Sequence, residues 1–209
     1  MRNPRNLLSL ALCATAAAAS AQISLSSISA NYTLNPGATT LAWFNFVDSA
    51  GLSVDFTQNA PAFRVGASTT FSTGSSTITY NVTSVSAIGS VDLVLQGDVE
   101  NFGRIQFSES ATASSNSIGS ISGSILGASY SGGANGAFTN IYHLNFSQAV
   151  TSFSMSETMS EDINGQSLPS ASLAVVGTVE QDFAAAVPEP ASMVGLALGA
   201  IALIRRRRK

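Results

Sequence analysis

Thr77-Ile78-Thr79-Tyr80-Asn81-Val82-Thr83 alternates polar and apolar residues without a break. Successive side chains of an extended strand leave opposite faces, so this order sets Ile78, Tyr80 and Val82 on one face and hydroxyl and amide groups on the other. A helix cannot bury such a pattern, because it gathers residues three and four apart. Val91-Asp92-Leu93-Val94-Leu95-Gln96 repeats it, and residues 41–47, 52–56, 104–107, 141–146, 150–155 and 172–179 carry further strand-like runs. Asn35-Pro36-Gly37, Asp48-Ser49-Ala50-Gly51, Gly97-Asp98 and Asn164-Gly165 punctuate them as turns. Roughly eight to ten short strands without interleaved helices predict an all-β fold with a β-sandwich or jelly-roll-like core. A β-solenoid is the alternative, and the chain lacks the fixed repeat that would support it. Residues 108–133 differ: ten of these 26 residues are serine, so the stretch reads as a Ser/Gly-rich loop or edge region with Ile118, Ile121 and Ile125 as its anchors.

The two ends have another character. Arg2 and Arg5 precede an apolar stretch, and Ala19-Ser20-Ala21 forms a small-residue site before Gln22. This is the layout of a cleaved secretory signal peptide, residues 1–21, expected to be helical. The lone cysteine, Cys13, lies inside it, so the exported chain offers neither a disulfide nor a cysteine nucleophile. At the other end, residues 191–204 form an uncharged run of 14 residues. As a helix it spans roughly 21 Å against a hydrocarbon core of about 30 Å, a short transmembrane helix at best. Arg205, Arg206, Arg207, Arg208 and Lys209 follow as a basic stop that holds this end in the cytoplasm. The flanks are thus membrane-directed, and residues 22 to about 187 are exported between them.

Val187-Pro188-Glu189-Pro190, the short apolar run with Gly195 and Gly199, and the terminal arginine cluster together resemble the PEP-CTERM sorting signal of exported bacterial proteins. The resemblance covers residues 188–209, after a small-residue linker at 184–187. It implies recognition by a membrane-embedded exosortase, with Pro188, Glu189 and Pro190 as the sorting motif. It also implies Sec-type export, transient insertion in the inner membrane, and then the cell surface or extracellular matrix. The prolines agree with it physically, since they end the helix and leave an extended, accessible segment.

Residues 22–183 form the expected domain. It holds all sixteen aromatic residues and sets only Arg64 and Arg104 against eleven carboxylates, so neither nucleic acid nor an anionic membrane surface is an expected partner of the domain. His143 is the only histidine; with Tyr142, Leu144 and Phe146 sharing the face read as core, it is expected to point the other way, toward solvent, and no catalytic residue is assigned. Glu157, Glu161, Asp162 and Asn164, beside Gly165, are the candidate for a Ca²⁺ site, read as an acidic loop of oxygen ligands. Trp43 is the candidate glycan contact. The leading expectation is a non-enzymatic structural or adhesive protein of the surface or exopolysaccharide matrix. The alternatives are a carbohydrate-binding module of that matrix and an acidic-residue glycoside hydrolase.

Overall fold

Two strands are longer than a domain of this size is wide. At about 3.3 Å per residue, the 28 residues of Thr73–Glu100 would run about 90 Å if straight, whereas a domain of ~165 residues is about 40 Å across. The chain resolves this by folding both long strands over.

The computed structural model describes residues 22–35, 39–42, 44–47, 53–57, 65–66, 71–163 and 172–186. Among them no residue is helical, and ten strands occur: β1 (Ile23–Asn35), β2 (Thr39–Ala42), β3 (Phe44–Val47), β4 (Ser53–Thr57), β5 (Val65–Gly66), β6 (Thr73–Glu100), β7 (Arg104–Ala113), β8 (Asn116–Leu126), β9 (Gly136–Asp162) and β10 (Leu173–Ala185). All pairings are antiparallel, in the order β3-β4-β10-β6-β9-β7-β8, with β1 joining β2 to β6 and β5 lying on β10. The expected signal helix and membrane helix lie outside the described residues.

The sequence divided β6 and β9 into shorter pieces; the structure joins them. β6 residues 73–83 pair with β9 residues 152–162, and β6 residues 90–99 pair with β9 residues 136–145, with register slips between Thr83 and Ser90. At this slip the ladder turns over, and its two halves come to lie against each other. Phe183 of β10 meets Phe153 of β9 near the turn, with ring centroids 5.9 Å apart, and Phe56 of β4 meets Tyr80 of β6 at 5.5 Å. At the far end, the Val176 N–H of β10 donates to Glu161 Oε1 of β9 at 3.0 Å. One half therefore carries β2, β1, the first part of β6, the last part of β9, β7 and β8. The other carries β3, β4, β10 and the remaining parts of β6 and β9.

The core between the halves is built from the inward residues of this alternation. Ile78, Tyr80 and Val82 are buried as expected, together with Val91, Leu93 and Leu95, Met155 and Met159, Ile105 and Phe107, Val176 and Val179. Residues 108–133 complete β7 and supply all of β8, a hairpin whose outer strand ends the strand path. Ser114 and Ser115 make its two-residue turn at φ 49° and 66°. Both lie in the left-handed region that such a turn requires. Ile118 and Ile125 are buried and Ile121 packs against the core, which anchors this polar hairpin.

Candidate functional site

The strand alternation that buries Ile78, Tyr80 and Val82 also builds a chemically uniform outer surface of hydroxyl and amide groups. Thr77, Asn81 and Thr83 of β6, Ser152, Ser154 and Thr158 of β9, Gln106 and Ser108 of β7, and Ser24, Ser26 and Asn31 of β1 are all exposed on it. Neighbouring strands cross-link: the Ser154 hydroxyl donates to Asn81 Oδ1 at 2.7 Å, and Ser108 Oγ lies 3.0 Å from Thr158 Oγ1. A shallow groove crosses the face, lined by Ser26, Asn81, Thr83, Thr112, Ser114, Ser152 and Ser154 with Phe153 beneath. It offers hydroxyl and amide donors and acceptors without an ionisable group. Phe153 is 3% exposed and packs on Phe146 and Phe183, so it presents no free ring for stacking.

The outer face of the other half holds Asp92, His143 and Asn145. Asp92 and His143 are opposite each other on β6 and β9. Asp92 Oδ1 meets His143 Nδ1, and His143 Nε2 lies 3.0 Å from Asn145 Oδ1. The hydrogen bond to Asp92, then that to Asn145, raises the imidazole above its ordinary pKa. His143 faces solvent as expected. Its ring nitrogens engage an acid, Asp92, and an amide, Asn145.

A third group lies inside. Glu109 of β7 and Glu157 of β9 are opposite each other, and both point into the core with Glu161. Each of the three is 1% exposed. Gln181 of β10, fully buried, donates from Nε2 to Glu109 Oε1 at 2.7 Å and to Glu157 Oε2 at 3.2 Å, linking the two halves of the sheet. The Tyr32 hydroxyl donates to Glu161 Oε2. Burial raises the Glu109 and Glu161 carboxyls to about 8, and burial with the neighbouring Glu109 pushes Glu157 well above the usual range. These groups are thus held as neutral acids at mildly acidic pH, which avoids burying charge. Glu109 Oε2, Glu157 Oε1, Gln181 Oε1 and the Tyr80 hydroxyl have no hydrogen-bond partner among the described residues.

This corrects the reading of Glu157, Glu161 and Asp162 as an acidic loop. All three belong to β9, and alternation sends them to opposite faces. Glu157 and Glu161 go inward, while Asp162 faces out and accepts from Arg104 Nε at 2.9 Å and Nη2 at 2.7 Å. Asn164 lies outside the described residues. Among the described residues no group of three acidic, histidine or cysteine side chains is placed to hold a metal ion. Glu109 and Gln181 were not singled out from the sequence. The signal was their register: Glu109 alternates in step with Ile105, Phe107 and Ala111, and Glu157 and Glu161 with Phe153, Met155 and Met159. Trp43, the cleavage-site residues Ala19 and Ala21, the motif Pro188, Glu189 and Pro190, and the basic stop at 205–209 lie outside the described residues. Gln22 is described and exposed.

No curated protein matches this chain. A solved structure described as TmCBM61 in complex with beta-1,4-galactotriose covers 78% of this chain and 88% of its own, at 9% identity and a TM-score of 0.29, a likeness too low to transfer a ligand. A family model described as the PEP-CTERM protein-sorting motif matches residues 186–209. The C-terminal region thus carries a PEP-CTERM protein-sorting motif, which is consistent with an exosortase substrate.

Proposed function

We propose that this chain is an exported protein whose β-sandwich domain is released from its C-terminal anchor by exosortase and serves as a non-catalytic structural or adhesive element of the cell surface or matrix. The match of residues 186–209 to the sorting motif carries the reading. The domain supports it by its chemistry. Of the carboxyl groups set opposite each other in the sheet, Glu109 and Glu157 are sealed in the core where a polymer chain cannot reach them, while Asp92 and Asp182 lie on the outer face beside His143. Glycosidic cleavage needs its two acids facing a cleft. The surface instead offers hydroxyl groups in bulk. Mass spectrometry of the protein recovered from cells tests the proposal. A C-terminus close to Pro188–Pro190 is expected, and an exported chain still ending in Lys209 refutes it.

The groove of Ser26, Asn81, Thr112, Ser152 and Ser154 favours a second reading, carbohydrate binding within the same matrix. Affinity electrophoresis in exopolysaccharide gels tests it. Retardation that Ser154→Ala and Asn81→Ala weaken supports it. Retardation lost only in Trp43→Ala moves the contact to that residue.

A further inference from the structure

Both flanks of the domain leave it at one place. The Gln22 carbonyl accepts from the Val85 N–H at 3.4 Å, and the Ala186 N–H donates to the Ala87 carbonyl at 2.8 Å. Val85 and Ala87 lie in the part of β6 that turns over between the two halves. The turn-over of β9 is at the same end, because Ile88 pairs with Val150 and Ser90 with Asn145. The β7–β8 turn reaches it as well, with Ser114 lining a groove beside Thr83 and Ser152. At the opposite end of β6, Val99 pairs with Gly136 and Glu100 with Leu173.

The end that holds the flanks differs in charge from the rest of the domain. Residues 22–26, 83–91, 110–116, 144–154 and 183–186 contain no ionisable side chain, although the domain as a whole is strongly acidic. Of the carboxylates that adjoin these stretches, Asp92 and Asp182 stand opposite each other on the outer face and Glu109 is buried in the core. Val85 sits at the tip of this end and is 77% exposed, more than any other large hydrophobic residue among those described. Ala149, Ala184 and Ala185 are exposed beside it. An uncharged, partly apolar end on an anionic body is what can approach an anionic lipid surface without repulsion.

Chain length then limits where this end can be. The apolar run of the tail starts at Ala191, five residues past Ala186. Fully extended, five residues reach at most about 18 Å. The headgroup zone outside the hydrocarbon is itself about 6 Å deep. With the tail in the bilayer, this end of the domain is therefore held within about 12 Å of the headgroups.

We propose that the end formed by Gln22, Val85, Ala87, Gln148 and Ala186 is a membrane-docking surface, which the domain rests on lipid headgroups while its tail is inserted. The inference rests on the reading of the tail as a membrane-inserted sorting signal. It places both processing points at the bilayer: Gln22 directly follows the expected signal cleavage, and Pro188 is two residues beyond Ala186, at most about 7 Å away. A membrane-embedded peptidase then meets its motif between this end of the domain and the lipid, and the hydroxyl face of β1, β6, β9 and β7 stands upright from the membrane.

The test uses residues 22–209, the cysteine-free chain left after the expected signal cleavage, reconstituted into vesicles of phosphatidylethanolamine and phosphatidylglycerol that contain a headgroup-nitroxide lipid. A fluorescent label is attached at Val85→Cys, Gln148→Cys or, at the opposite end, Ser131→Cys, all exposed positions. The chain is expected to float with the vesicles, with quenching several-fold stronger at positions 85 and 148 than at 131. Flotation with equal quenching at the three positions overturns the docking surface and leaves the sorting tail standing. A chain that does not float overturns both. The C-terminal mass measured from cells tests the tail reading independently of this surface.

Discussion

Replacing Glu157 by Gln should flatten the pH dependence of stability and strengthen the fold at alkaline pH. Glu109 and Glu161 have carboxyls raised from 4.5 to about 8 by burial, and Glu157 is raised well above its usual range. The folded chain therefore keeps protons that the unfolded chain releases as pH rises past about 4.5. The resulting stability is fully present below the unfolded pKa and is lost as pH climbs through the folded values. Each such proton contributes a slope of about 1.4 kcal/mol per pH unit, so one carboxyl shifted from 4.5 to about 8 accounts for roughly 5 kcal/mol across that window. That is comparable to the whole stability of an ordinary domain, about 5–15 kcal/mol. Exposed carboxylates are already ionised above about pH 5.5, so they add little further slope. Glu157→Gln keeps an amide oxygen for the Gln181 donor and removes one titrating group. Urea titrations of residues 22–186 at intervals from pH 5 to pH 9 measure the effect. The parent should lose stability steadily from pH 5 to 8, and the variant should lose about 1.4 kcal/mol less per pH unit where Glu157 titrates. A parent profile flat from pH 5 to 8, or a variant with the parent's slope, refutes the neutral-acid cluster.

Three further outcomes follow from single contacts. Ser115→Gly removes the strain of a serine at φ 66° and should raise stability by about 1 kcal/mol in the same urea assay, since only glycine adopts that region freely. Asp92→Asn removes the main group that raises His143, so the imidazole should titrate closer to its ordinary value when followed by NMR, with the fold unchanged. Gly103→Ala drives a Cβ into the Leu173 carbonyl beside the Gly103 N–H to Glu100 C=O hydrogen bond of 2.7 Å, and should cost roughly 2 kcal/mol or more by thermal unfolding.

The amino-acid order by itself determined the features that depend on neighbours along the chain. Alternation at residues 77–83 made a strand with Ile78, Tyr80 and Val82 inward, because pleating assigns faces by parity. The sorting motif at 186–209 was legible for a similar reason: its prolines, short apolar run and terminal arginines follow one another along the chain. The same parity sent Glu109, Glu157 and Glu161 inward with their apolar neighbours, yet carboxyls are so rarely buried that composition argued against reading them there. Tertiary structure alone decided what they would meet. Gln181 lies 72 residues from Glu109 and 24 from Glu157, and it reaches both only because the two halves of the ladder close on each other. The common exit of Gln22 and Ala186 has the same origin. Parity is settled within a few residues by backbone sterics, whereas which strands become neighbours, and which end of the domain receives both flanks, depends on how the whole apolar surface can be buried at once.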